Sequence, residues 1–284
     1  MSFSSDIKTE LLKVKAQSCC AFSELYGLFL FSKTFTNSDI FFSSDREDIA
    51  KKAKDLIKSV YNITPTLVIS GGRYSLSLDI INVGQIYLDV ISQEYITDAF
   101  QCDNCFSAFV RGAFLVSGTA TDPKKDFHIE LKTTKETVAI SLGSIFSSLG
   151  FNVHTSKRNN YHLIYAKGSE SVSDIITLMG AQKKSLEVID CAMEREMRNK
   201  VNRIKNCETA NIDKTIEAVI KQTTAIKKLK KSGKLSMLSD ELKTVAQLRI
   251  QNPEMSLSEL SKLCGISRSG LNHRFQKLIE LSKD

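Results

Sequence analysis

Residues 102–123 read CDNCFSAFVRGAFLVSGTATDP, and positions 109–118 are almost all apolar or small, with only Arg111 and Ser117 polar. A helix that is apolar all round is a buried helix. Gly112 and Gly118 would each cost about 1 kcal/mol there relative to Ala. The pattern therefore predicts a neighbour packed very close to the backbone. The earlier stretch 19–35, CCAFSELYGLFLFSKTF, has the same layout. Cys20, Gly27 and Ser32 are matched by Cys105, Gly112 and Ser117, each pair 85 apart (105 − 20, 112 − 27, 117 − 32). Such repetition predicts two pseudo-symmetric halves joined through two glycine-bearing helices. The alternative is two unrelated core helices with coincident spacing.

Shorter patterns fill in the halves. Ile7, Leu11 and Val14 predict an amphipathic first helix. A short strand is expected at 39–44 and a helix at 46–61, from Ile49, Ala53, Leu56 or Ile57, and Val60. Strands at 65–69 and 73–80 flank Gly71-Gly72 as a hairpin. The second half gives a strand at 126–131 and a helix at 136–149. Strands at 151–154 and 161–166 then flank a polar turn at 156–160, and a helix at 171–179 ends at Gly180. The class is α+β with antiparallel sheets. Residues 183–231 hold no Gly, no Pro and no strand signal, so they form one long helix or two. The expected organisation is a pseudo-twofold domain over 1–182, a helical linker over 183–232 and an all-α domain over 233–284.

Charge separates these parts. Residues 1–182 carry 18 Lys+Arg and 19 Asp+Glu, a net of −1; the remaining 21 (39 − 18) and 13 (32 − 19) give residues 183–284 a net of +8. A basic C-terminal third points to a polyanion partner; the bland alternative is a solvated basic helix. The longest apolar runs fall well short of the roughly 20 residues of a membrane span, and the N-terminus lacks the form of a signal peptide. Seven cysteines, an odd number, suit free thiols in a reducing cytosol.

The C-terminal stretch carries a reader. Pro253 ends a helix beginning near Ser239, and Ser256-Leu257-Ser258-Glu259 is a capping box. Leu257, Leu260 and Leu263 or Cys264 face one side of a short helix broken at Gly265. Ser267 caps a second helix whose buried stripe is Leu271, Phe275 and Leu278. Opposite lie Ser269, Asn272, His273 and Gln276, flanked by Arg268, Arg274 and Lys277. A short helix, a glycine turn and a polar-faced second helix mark a helix-turn-helix. Asn and Gln suit adenine edges, and Arg and Lys suit phosphates. A surface helical hairpin without a nucleic-acid partner is the alternative.

Residues 195–211, REMRNKVNRIKNCETAN, contain four Asn in a helical frame, although Asn is a weak helix former. Met197, Val201 and Ile204 share one face, and Arg195, Arg198 or Asn199, Asn202 and Asn206 share another, beside Arg203. The amides either bond a partner or a nucleic-acid backbone, or form a polar seam against the first domain.

These runs carry a resemblance. LMGAQ at 178–182, MRNKVNRIKNCETAN, FVRGAFLVSGTATDP and SLSELSKLCGISRSGLNHRFQKL resemble the WhiA family of bacterial DNA-binding regulators, over nearly the whole chain. The resemblance implies a first domain like a LAGLIDADG homing endonuclease monomer and a C-terminal helix-turn-helix akin to the promoter-reading part of sigma factors. It also implies a role in cell division, chromosome organisation or sporulation-type gene control. In LAGLIDADG enzymes a carboxylate ends each central helix and holds divalent cations. The equivalent positions here are Ser32 and Ser117, so no catalytic residue and no nuclease activity are expected. Asp39 and Asp122 do not match the offset.

Cys19-Cys20 and Cys102-x-x-Cys105 sit at equivalent helix starts, and four thiolates could hold zinc. Adjacent cysteines make an awkward chelate and buried free Cys is common, so neither metal nor cofactor is assigned. The expected partners are double-stranded promoter DNA, with RNA polymerase or another regulator, and no membrane; the expected location is cytoplasmic and nucleoid-associated. The rival functions are a cell-division scaffold with weak DNA binding and, last, a metal-dependent endonuclease.

Overall fold

The computed structural model describes residues 2–283. The chain divides into two compact units, Met1–Arg195 and Glu196–Asp284. The first begins with α1 (Phe3–Leu11). Its first half then runs α2 (Ser18–Phe31), β1 (Ile40–Ser44), α3 (Glu47–Tyr61), β2 (Thr66–Ser70), β3 (Arg73–Ser77) and α4 (Ile80–Ile91). The second half runs α5 (Asn104–Ser117), β4 (Thr119–Ala120), β5 (His128–Thr133), α6 (Glu136–Ser148), β6 (His154–Arg158), β7 (Tyr161–Lys167) and α7 (Ser169–Met179). Both sheets are antiparallel, in the orders β1-β3-β2 and β4-β5-β7-β6. Without β4, an extra edge strand, β5-β7-β6 repeats β1-β3-β2.

The two halves meet through α2 and α5 at their glycines. A Cβ built on Gly27 would lie 2.1 Å from the Phe109 carbonyl oxygen, and one on Gly112 would lie 2.0 Å from that of Glu24. Beyond those two carbonyl groups the Cβ atoms would meet the Ala113 nitrogen at 3.2 Å and the Leu28 nitrogen at 2.9 Å. The contacts themselves repeat at 85 (109 − 24, 113 − 28), so the sequence repeat is a structural pseudo-dyad with backbone on backbone. Gly118, expected within the second helix, is instead the residue after it, with ordinary extended backbone. Only Gly112 is needed for close approach inside α5.

The crossing also buries charge. Glu24 is fully buried; its Oε2 is 3.0 Å from Arg111 Nη2, and its Oε1 is 3.3 Å from Lys52 Nζ. Arg111 Nη1 donates to the Met179 carbonyl at 3.0 Å, and Lys52 Nζ donates to that of Val14 at 2.8 Å. One carboxylate thus ties both central helices, α3 and the loop after α1.

Several elements differ from their expected spans. α1 stops at Leu11, and Val14 instead packs beside Gly180. The strand expected over 73–80 ends at Ser77, because Asp79 accepts from the Asn82 N–H and caps α4, a helix the pattern did not reveal. Val83, Ile86 and Val90 make the buried face of α4, while Ile80, Ile81, Leu88 and Ile91 are exposed. The strand expected at 151–154 lies at His154–Arg158, and the turn shrinks to Asn159-Asn160, with Asn159 left-handed. Every β6 side chain is exposed, so no alternation marked it. The strand expected at 126–131 begins only at His128, after the turn at 122–126.

Residues 183–231 form one helix, α8 (Gln182–Lys231). The second unit continues with α9 (Asp240–Gln251), α10 (Leu257–Cys264) and α11 (Arg268–Leu281). Its core is Ile226 and Leu229 of α8, Leu242, Val245 and Ala246 of α9, Leu260 of α10, and Leu271, Phe275 and Leu278 of α11. Arg249 is buried among them. Its Nη1 donates to the Met255 carbonyl at 2.7 Å, and its guanidinium lies 5.2 Å from the Phe275 ring centre. Burial holds its pKa below the usual arginine range.

Candidate nucleic-acid interface

α11 is positioned by local chemistry. Ser256 and Glu259 form the capping box that starts α10. Gly265 ends α10 in the left-handed region, where a side chain would be strained. Ser267 then caps α11, its Oγ accepting from the Gly270 N–H at 3.1 Å. With Leu271, Phe275 and Leu278 buried, about 100° per residue puts Arg268, Ser269, Asn272, His273, Gln276 and Lys277 on one contiguous arc. All six are exposed. Arg274 departs from the expected flank: it is half-buried, and its Nη2 lies 2.9 Å from Glu241 Oε2 on α9. Its charge is already matched within the unit.

On α8 the Asn-rich run is exposed. Arg198, Asn199, Asn202, Arg203 and Asn206 all face solvent. Arg195 does not join them. It is half-buried, donates to the carbonyls of Pro123, Lys124 and Lys125, and sits 4.3 Å from the Phe127 ring centre. Beside this run Met193, Met197, Val201 and Ile204 make an exposed apolar stripe.

Ser32 and Ser117 lie at the ends of α2 and α5, in one cleft of the first unit. Ser32 Oγ is 3.0 Å from Thr34 Oγ1, and Ser117 Oγ donates to the Ala113 carbonyl at 3.1 Å. The cleft is lined by Lys8, Lys33, Arg46, Arg73 and Lys132; Arg73 lies 3.4 Å from Asp45, and Arg46 donates to both oxygens of Asp48. Burial, with Arg46 and Lys132 nearby, lowers the Lys8 pKa to about 8. A cationic lining repels divalent metal and attracts phosphate. The near-neutral charge of residues 1–182 gave no sign of this concentration.

The four paired cysteines come together at the other end of the crossing. Cys19 and Cys20 are in the first turn of α2, Cys105 is in that of α5, and Cys102 precedes α5. All four sulfurs lie within 4.8 Å of one another. Burial, then hydrogen bonding with Cys102 and Cys105, pushes the Cys20 thiol up to about 12. Burial also raises Cys105, but hydrogen bonds with Ser23 and neighbouring backbone bring it to about 7. Among the described residues no helix is long and apolar enough to cross a membrane.

Residues 201–282 match the family model described as the WhiA C-terminal HTH domain, and residues 106–198 match the WhiA LAGLIDADG-like domain. The chain is 33% identical to the probable cell division protein WhiA of Oceanobacillus iheyensis, over 100% of this chain and 97% of that protein. Its fold is similar to the crystal structure of full-length DUF199/WhiA from Thermotoga maritima, with a TM-score of 0.60 and 24% identity, covering 100% of this chain and 98% of that one. The N-terminal LAGLIDADG domain of DUF199/WhiA, solved alone, covers 64% of this chain and 95% of its own length, with a TM-score of 0.51 and 19% identity.

Proposed function

The chain belongs to the WhiA family, and from that premise we propose that it is a sequence-specific DNA-binding regulator tied to cell division, without nuclease activity. The observation that carries the reading is the exposed arc of α11. Base-reading types, Ser269, Asn272, His273 and Gln276, sit between Arg268 and Lys277, directly opposite the buried stripe. A helix held this way by a short partner and a tight turn is suited to the major groove. In this division of labour residues 233–284 read DNA, residues 183–232 position the reader, and residues 1–182 form the degenerate LAGLIDADG-like platform. Arg198, Asn199, Asn202, Arg203 and Asn206 serve as accessory contacts to the backbone of the same DNA.

Loss of cleavage follows from the chemistry at Ser32 and Ser117. Neutral hydroxyls are poor ligands for hard divalent cations, and Lys8, Lys33 and Lys132 in the same cleft oppose metal binding. A second reading, a protein-interaction scaffold, is favoured by the exposed apolar stripe on α8. RNA polymerase or another regulator is the kind of partner that would use it.

The test is retention of genomic duplex fragments by the full chain at two salt concentrations with Mg²⁺ present. Selective, salt-sensitive retention of intact DNA is expected. Asn272→Ala should cost about 1–3 kcal/mol at one base position and relax preference there. Lys277→Ala should weaken all sequences alike and lower the salt slope by about one. Retention without sequence preference would favour the scaffold, and Mg²⁺-dependent cutting would restore the nuclease.

A further inference from the structure

Five of the six separations among the Cys19, Cys20, Cys102 and Cys105 sulfurs are short. Cys102 lies 3.5 Å from Cys19, 3.6 Å from Cys20 and 3.6 Å from Cys105; Cys20 lies 4.0 Å from both Cys19 and Cys105. The sixth is within 4.8 Å. Four thiolates at a zinc–sulfur distance of about 2.3 Å occupy a tetrahedron with edges of about 3.8 Å. The observed edges bracket that value. They are far from the roughly 2.05 Å of a disulfide.

The surroundings fit anionic sulfur. α2 and α5 both start here, and neither has a side-chain hydrogen bond capping its first turn. The positive ends of two helices therefore lie at the cluster, and they stabilise negative charge. The fold also answers the objection to adjacent ligands. Cys19 and Cys20 diverge from the first turn of α2 and both reach Cys102, while the pseudo-dyad brings Cys105 to Cys20. The set spans burial from closed (Cys20, Cys105) to exposed (Cys102), so an ion has a path of entry. Three further cysteines, Cys191, Cys207 and Cys264, lie on other elements and outside the cluster.

We propose that Cys19, Cys20, Cys102 and Cys105 bind one zinc ion in a closed tetrahedral site that pins the two repeats together at the start of their crossing helices. Four protein thiolates leave no open position, so the site is structural and takes no part in hydrolysis. Deprotonation of the four thiols accompanies binding, and the protons pass to solvent. Both halves supply ligands, so the metal stabilises the paired arrangement rather than either half.

The test uses the full chain, purified under reducing conditions without chelator, with metals measured by mass spectrometry. About one zinc per chain is expected. Replacing zinc by Co²⁺ should give the visible bands and the thiolate-to-metal charge transfer of a tetrahedral sulfur site. Cys102→Ser, at an exposed position, should weaken metal binding at least tenfold, whereas Cys207→Ser should leave it unchanged. Chelation should lower the thermal midpoint of the wild type and of Cys207→Ser by the same amount. A chain isolated with no metal, or with iron, overturns the proposal. So does a wild-type cobalt complex lacking thiolate charge transfer, or a Cys102→Ser chain that holds zinc as tightly as the wild type. A reduced-preparation mass showing disulfides among these four cysteines overturns it as well.

Discussion

Replacing Gly112 by Ala probes the backbone contact at the centre of the first unit. The added methyl would stand 2.0 Å from the Glu24 carbonyl oxygen and 2.9 Å from both its carbon and the Leu28 nitrogen. Carbon needs roughly 3.5 Å to such neighbours, so α2 and α5 must part by about 1 Å or more. No rotamer change relieves this, because the obstructing atoms are backbone. A gap of that size forfeits a quarter to a half of each dispersion contact across the crossing. Tyr26, Leu28, Phe109 and Phe114 are all buried there. Losing about 1 kcal/mol for each and regaining about 1 kcal/mol of helix propensity leaves a net destabilisation of about 3 kcal/mol, at the upper end for overpacking. Gly27→Ala should behave alike, since its Cβ would meet Phe109 at 2.1 Å. Gly84→Ala is the control. It lies inside α4 with nothing within 4 Å of a Cβ, so it should stabilise by about 0.5–1 kcal/mol. The chain has no Trp, and its seven Tyr all lie before residue 196, so tyrosine fluorescence during urea unfolding reports the first unit alone. With a slope of about 3 kcal/mol per molar, the midpoint should fall by about 1 M for Gly112→Ala and rise slightly for Gly84→Ala. Equal midpoints for Gly112→Ala and wild type would refute the close crossing. A Gly84→Ala midpoint that fell as far would show that the assay reads glycine loss in general.

Three other outcomes follow from the buried charges. Glu24→Ala strands Arg111 and Lys52 and should cost about 3–5 kcal/mol, whereas Glu24→Leu combined with Arg111→Met should cost less than the two single changes together, read in the same urea assay. Arg249→Met keeps much of the volume but leaves the Met255 carbonyl without its donor; calorimetry should show the second unit losing about 1–3 kcal/mol. Lys8 has a folded pKa lowered to about 8 from 10.5, so the unfolded chain binds more protons between those values and the first unit should gain stability as pH rises through that window. Lys8→Met should abolish that gain, and an NMR titration placing Lys8 at its ordinary pKa would contradict the desolvated cleft.

The chain's linear pattern determined what depends on local periodicity and on spacing. Two largely apolar stretches with matched Cys, Gly and Ser pointed to a pair of crossing helices, and the 85-residue offset marked the dyad that the contacts of Gly27 and Gly112 display. The capping box, Gly265 and the stripe Leu271, Phe275 and Leu278 fixed α10, α11 and the exposed arc, because each is a matter of neighbours within a few residues. What the sequence left open depends on distance through space. β6 is exposed on every residue and shows no alternation, whereas α4, whose Asn82, Gln85 and Asp89 do recur at helical spacing, was masked by running the preceding strand on to residue 80. Arg111 looked like an isolated polar residue until the crossing placed Glu24 beside it, and the burial of Arg249 against Phe275 belongs to the packed second unit, not to any local pattern. Tertiary structure alone gathered five cations around Ser32 and Ser117, from elements whose summed charge is nearly neutral. It also decided the cysteines: their equivalence could be read along the chain, but whether four sulfurs lie at ligand separation depends on how closely two backbones approach, and that is set by Gly27 and Gly112.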